Sequence, residues 1–249
     1  MLQGIQAGKY DEMLVKLYGQ EALTAQKQRY SQAVEQFATL YPEREDMEVF
    51  SAPGRTEVCG NHTDHQHGKV LAAAINLDAV AVVGFHEDGV IRLHSEGYPA
   101  ITVELSDLAI NEAEHGTTKA LIRGMAAQFA DKGVKIGGFD AYVTSDVLGG
   151  SGLSSSAAFE VLIGTILDIH YNKGAVGAVD IAKMGQYAEN KYFGKNCGLM
   201  DQMVSSVGGF VFIDFADPTK PVIDKHVCDF AAAGISLCIT DTKGSHADL

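Results

Sequence analysis

Residues 148–158 read Leu-Gly-Gly-Ser-Gly-Leu-Ser-Ser-Ser-Ala-Ala, three glycines running into three serines. The stretch before them, Phe139–Thr144, has the pattern of a strand, and Ala158, Val161, Leu162, Thr165, Ile166 and Ile169 follow at intervals of three and four residues. A strand, a glycine loop and the start of a helix are therefore expected in that order. Glycines let several backbone N–H groups turn round a small anion, and the helix start adds unpaired donors and a partial positive charge. Serine hydroxyls can cap that end, contact phosphate oxygens or help hold Mg²⁺. No Lys follows the glycines, so the loop is not GxxxxGK[ST], and its spacing is not GxGxxG. The alternative is a plain Gly/Ser connection, and a position directly ahead of a strongly apolar helix argues against a mere linker.

With 249 residues, 46% of them hydrophobic, the chain can bury a full core in one large domain or two. No apolar run approaches the ~20 residues of a membrane span. Met1-Leu2-Gln3-Gly4-Ile5 lacks the basic and apolar regions of a signal peptide, so a cytoplasmic protein with no membrane partner is expected. The formal net charge of −13 argues against a nucleic-acid surface. It does not exclude an anionic nucleotide held in a local cradle, which Mg²⁺ would help to neutralise. Cys59, Cys197, Cys228 and Cys238 show no CxxC pairing and no zinc-site spacing, and are expected to be reduced and mostly buried.

In chain order, Leu23, Tyr30, Val34, Phe37 and Leu40 fall on one face of a packing helix that Pro42 closes. Glu48–Ser51 then leads into a polar stretch, 52–68, set between two apolar strands. Asp64, His65 and His67 there have no recognisable metal-ligand pattern. Their mixture of donors and acceptors suits a small polyol, since short Asp and Asn side chains can grip vicinal hydroxyls. Further strands are expected at Val80–Phe85, Val90–His94, Ile101–Leu105 and Phe210–Asp214. Helices are expected at Thr117–Asp131, Ser154–Tyr171 and Val179–Phe193.

Three separated stretches, in order, resemble the galactokinases. Pro53-Gly54-Arg55 with Gly60-Asn61-His62-Thr63-Asp64-His65 is similar to their signature P-G-R-V-N-L-I-G-E-H-T-D-Y. The loop Gly149–Ala158 resembles the second motif of the GHMP small-molecule kinases, to which galactokinases belong. Ala188-Glu189-Asn190, Phe193-Gly194 and Cys197-Gly198-Leu199-Met200-Asp201-Gln202 resemble A-E…F-x-G…C-G-I-M-D-Q. The resemblance runs from about Leu17 to the end and includes Ser95-Glu96-Gly97 and the helix 119–124.

What the resemblance implies is an α+β GHMP kinase fold. Residues 1–215 would be an N-terminal domain like domain 2 of ribosomal protein S5, and residues 216–249 the start of a ferredoxin-like C-terminal domain. The implied activity is ATP-dependent phosphorylation of the anomeric hydroxyl of galactose, in a monomer, a reaction that rests on positioning and charge neutralisation. Asp201 matches the catalytic aspartate and Arg55 the arginine beside it. Asn61, His62, Asp64 and Gly198 match sugar-binding positions. Gly149, Gly150, Ser151, Gly152, Leu153, Ser154, Ser155, Ser156 and Ala157 match the ATP phosphate loop, with Ser156 and Glu189 as Mg²⁺ ligands. The family's Glu and Tyr of E-H-T-D-Y are Asn61 and His65 here, which leaves galacturonate open as an alternative sugar. A galactose-sensing regulator on the same fold is a second alternative, disfavoured by the intact serine loop; an S5-like nucleic-acid module is a third, opposed by the acidic charge. The ending, Asp241–Leu249, resembles N-T-x-x-x-H-x-L, which in the family leads into most of the C-terminal domain, so a truncated chain is expected.

Overall fold

The computed structural model describes residues 1–228, 230 and 232–240, and the expectation for Asp241–Leu249 lies outside these. In chain order the elements are α1 (Leu2–Gln6), α2 (Asp11–Tyr18), α3 (Leu23–Leu40), β1 (Glu48–Cys59), β2 (Lys69–His86), β3 (Val90–Ser95) and β4 (Ile101–Glu104). They continue with α4 (Thr118–Asp131), β5 (Gly138–Ser145), α5 (Ser155–Asn172), α6 (Ala178–Tyr187), α7 (Met200–Val207), β6 (Phe210–Asp214) and β7 (Val222–His226). Among these residues no helix is long and apolar enough to cross a membrane.

Residues 79–83 of β2, Ala-Val-Ala-Val-Val, have no polar alternation because both faces of this part of the sheet are covered. Ala79, Ala81 and Val83 pack with Ile122, Met125, Leu162 and Ile166 of α4 and α5. Val80 and Val82, with Tyr142, pack against Leu14, Tyr30, Val34 and Phe37 of α2 and α3. The sheet runs β4-β3-β5-β2-β6-β7, with β1 antiparallel along the other edge of β2. β5 and β6 share the remaining edge of β2 end to end, and β3 joins β5 in parallel. β7 extends the same sheet from β6.

Several expectations need correction. The polar stretch from Ala52 to Cys59 is the second half of β1, not loop; β1 pairs only with β2, and an outer strand tolerates Pro53. Leu40, expected on the buried face of α3, is 38% exposed because the helix ends there. The helix expected over Val179–Phe193 is α6 followed by a π-turn at Ala188–Phe193. Three of the four cysteines, Cys59, Cys228 and Cys238, are exposed. Helices α1, α2 and α7 and strand β7 carried too short a pattern to be read from periodicity.

Buried charge ties the helices to the sheet. Asp78 accepts from Arg29 Nη1 at 2.7 Å and Tyr18 at 2.6 Å, and Arg29 also reaches Asp146, just ahead of the glycine loop, at 3.0 Å. Near the start of α4, Arg123 binds Glu114 through Nε and Nη2, both at 2.8 Å. These bonds outweigh burial and, with Lys119, bring the Glu114 carboxyl down to about 2. A depressed folded-state pKa contributes stability that is full above the unfolded value of 4.5 and lost as pH falls toward 2. The contribution is roughly 3 kcal/mol at neutral pH. Melting wild type and Glu114→Gln between pH 7 and pH 2 should show a gap in stability that closes below pH 4.5; a gap independent of pH would exclude this pair as its source.

Candidate functional site

β1 carries Arg55 into the interior. Its register against β2 slips between Pro53 and Arg55, which re-aims the strand and leaves Arg55 only 6% exposed. Arg55 N–H donates to Leu153 O at 3.1 Å, so β1 lies directly on the glycine–serine loop. A Cβ at Gly54 would stand 2.8 Å from that same carbonyl, which explains a glycine there. Arg55 Nη1 donates to Gly152 O at 2.6 Å, while Nε and Nη2 grip Asp201 Oδ1 and Oδ2 in a fork, both at 2.7 Å. Ser154 Oγ also donates to Asp201 Oδ2. Burial pushes the Asp201 carboxyl up, but the Arg55 charge and bonds and the Ser154 hydroxyl more than offset it and hold it below its ordinary value. Asp201 is therefore ionised at neutral pH.

The loop has the kind of backbone that could hold an anion. Gly150, Gly152 and Ser154 all have positive φ, at 74°, 76° and 62°, and a left-handed residue at every second position turns N–H groups toward one side. Ser151 closes the loop on itself by donating to Leu148 O at 2.6 Å. Ser154 sits at the N-cap of α5, but its hydroxyl is committed to Asp201 and caps nothing. The first N–H groups of α5, at Ser155, Ser156 and Ala157, have no intrahelical acceptor and remain available. A cavity of about 790 Å³ extends from Gly149, Ser155 and Ser156 outward to Phe159, Ile101 and Tyr98. Its apolar outer wall was not found in the sequence, because Tyr98 and Ile101 lie far along the chain from Phe159 on α5.

Behind the loop, Ser156 Oγ donates to Glu189 Oε1 at 3.1 Å, and Gln202 Nε2 donates to Glu189 Oε2 at 2.9 Å and to Glu160 Oε2 at 3.0 Å. Burial, then the Glu189 charge, push the Glu160 carboxyl well above the usual carboxylate range. A hydroxyl beside a carboxylate is a hard-oxygen pair of the kind that suits Mg²⁺. Among the described residues no three His, Cys, Asp or Glu are grouped to hold a metal by themselves. Glu160 was not read from the sequence, where a lone Glu on the apolar face of an apolar helix was the available signal, and Gln202 entered only as the last residue of the stretch 197–202, without a role.

A second cavity, of about 520 Å³, is lined by His62, Asp64, His65, Asn196, Cys197, Gly198 and Asp201. Asp64 is 6% exposed, and its Oδ2 accepts from Met200 N–H at 3.3 Å, at the start of α7. A Cβ at Gly198 would overlap the Asp64 carboxylate. Burial pushes the Cys197 thiol up, so it is inert in this wall. Asn61 is not part of the lining: it is exposed, with φ of 58° and its N–H held by Glu57 Oε1 at 2.6 Å. Arg55, Asp201, Ser154, His62, Asp64 and Gly198 are thus brought together, with the loop between the two cavities. Asn61 stands apart.

The galactokinase galactose-binding signature matches residues 35–85, and the GHMP kinases N terminal domain matches residues 120–209. The chain is 37% identical over 218 residues to a galactokinase of Streptomyces coelicolor, covering 86% of this chain and 54% of that one. It is 36% identical over 215 residues to a galactokinase of Lactiplantibacillus plantarum, covering 85% and 51%. The chain spans about half the length of the curated relatives it matches. Among solved structures, Lactococcus lactis galactokinase complexed with galactose superposes with a TM-score of 0.69 at 28% identity, covering 77% of this chain and 50% of that chain. Methanococcus jannaschii mevalonate kinase shares the fold at 19% identity, with a TM-score of 0.61 over 76% of this chain and 58% of its own.

Proposed function

We propose, from the premise that this chain belongs to the galactokinase family of the GHMP kinases, that it binds ATP and galactose and transfers the γ-phosphoryl group to the anomeric hydroxyl. The observation that carries the reading is the Arg55–Asp201–Ser154 group, which joins an anion-binding loop to a cavity bearing the buried carboxylate Asp64. In this reading the loop 149–157 and the α5 N-terminus hold the ATP phosphates, and the cavity toward Tyr98 and Phe159 takes the base. Ser156 and Glu189 would hold Mg²⁺, which would supply charge neutralisation for the phosphates. His62, Asp64 and Gly198 form the wall that places the sugar against Asp201.

Asp201, kept ionised by Arg55, is a weak base in the resting state, and the reaction fits that weakness. In a loose transition state the hydroxyl keeps its proton until the new P–O bond forms, when its pKa collapses and a carboxylate of low pKa suffices to take it. Residues 1–215, with β7 extending their sheet from β6, serve as the N-terminal kinase domain. The chain would act in the cytoplasm as a monomer on free small molecules, without nucleic acid or membrane. ATP consumption by the intact gene product across a panel of hexoses tests the reading; galactose should be turned over fastest, and no turnover with any hexose would overturn it.

Asn61, exposed and next in sequence to the lining residue His62, is our candidate for contact with C6. A Glu there would repel a C6 carboxylate by a few kcal/mol at an effective dielectric of about 20, whereas an amide does not. Asn61→Glu should therefore raise the galactose-to-galacturonate ratio of kcat/KM by at least about tenfold. An unchanged ratio would mean that Asn61 does not reach the sugar.

A further inference from the structure

Gln202 follows Asp201 on α7 but points the other way, and its side chain is completely buried. Its amide nitrogen donates to two carboxyl groups from two other segments, Glu189 of the π-turn and Glu160 of α5, and also lies 3.6 Å from Cys197 Sγ. α6 closes the box: a Cβ at Gly185 would stand 3.0 Å from Glu160 Oε2 and 3.1 Å from Gln202 Cγ. As a device for stability this is poor. Glu160 Oε1 and Gln202 Oε1 are buried without a partner, and an apolar cluster of the same volume would avoid both costs.

What the arrangement does achieve is orientation. A carboxylate free to turn about its last torsion offers its oxygens indifferently, but Glu189 is pinned at Oε2 by the Gln202 amide and so presents Oε1 to the Ser156 hydroxyl. The amide is in turn fixed by Glu160. Because Gln202 and Asp201 are adjacent on one short helix, the same element that carries the candidate base also aims the candidate metal ligand.

We propose that Gln202, anchored on Glu160, is a positioning residue that holds the Glu189 carboxylate in its metal-binding orientation and couples it to Asp201. This rests on the reading of Ser156 and Glu189 as the Mg²⁺ pair. Loss of a hydrogen-bond partner behind a metal ligand typically costs about 10–100-fold in metal affinity.

The test is direct binding of Mn²⁺ to the intact gene product saturated with a non-hydrolysable ATP analogue, read from the electron paramagnetic resonance of free Mn²⁺. Galactose affinity is measured in parallel by calorimetry. Gln202→Met, which keeps the length and removes both donors, should weaken Mn²⁺ about 10–100-fold and leave galactose affinity within about twofold. Gln202→Asn, which withdraws the amide by one methylene, should weaken it in the same direction and serves if the Met variant does not fold. Unchanged Mn²⁺ affinity in either folded variant overturns the proposal, as does an equal loss of Mn²⁺ and galactose, which would mean that α7 has simply moved. Glu189→Gln separates the two levels. If it leaves Mn²⁺ binding intact, the metal pair itself is wrong. If it weakens Mn²⁺ while Gln202→Met does not, only the positioning role falls.

Discussion

Asp201→Asn is expected to lower kcat by about 10²–10⁴-fold while ATP and galactose still bind. The amide matches the carboxylate in shape, but it cannot take the hydroxyl proton and supplies no negative charge. It also cannot satisfy the fork of Arg55. Whichever way the amide turns, its NH₂ faces an Arg55 donor, at Nε or at Nη2, so one buried guanidinium N–H loses its acceptor. That loss costs about 1–3 kcal/mol of stability. A melting curve should therefore show a modest drop beside the large kinetic one. Near-normal turnover in a folded variant would remove Asp201 from its proposed role.

Gly198→Ala is expected to abolish most sugar recognition by adding a single methyl group. The φ of Gly198 is not in the left-handed region, so the argument is one of space: the added carbon overlaps the Asp64 carboxylate, which is anchored on the α7 N-terminus through Met200 N–H. Either Asp64 leaves the wall or α7 shifts. If the carboxylate holds two sugar hydroxyls, each charge-assisted bond is worth about 1.5–3 kcal/mol, and losing both lowers kcat/KM for galactose by roughly 10²–10⁴-fold. Nucleotide affinity should change little, because the cavity proposed for the nucleotide shares no lining residue with the one that holds Asp64. Steady-state kinetics with each substrate varied in turn decide this, and an unchanged KM for galactose would show that Asp64 has no part in holding the sugar.

Much of the frame could be read from the chain because its causes are local. The period of three and four residues after Ser156 reflects one side of α5 facing the sheet, and glycines alternating with other residues allow the left-handed turns at 150 and 152 whatever surrounds them. The stretch 80–85 announced a strand, and the packing of helices on both its faces was learned from the structure. The long strand β1 was legible only in its first residues. From Pro53 onward the apolar alternation is lost, with Arg55 turned to the site and Val58 and Cys59 exposed, and the segment remains a strand because β2 supplies a partner edge.

Near neighbours in the chain account for the long helices, the apolar strands, the glycine–serine loop and the residue types suited to phosphoryl-transfer chemistry. Only the tertiary structure decided which of those residues meet. Arg55 and Asp201 are 146 positions apart, Ser156 and Glu189 33, and neither separation is encoded in any local pattern. The slip in β1, the close approach of Gly198 to Asp64 and the burial of Gln202 between two carboxyl groups bring them together, because a packed interior admits one arrangement of these side chains. The same packing left Asn61 outside the cavity lining, although its place in the motif had put it with the others.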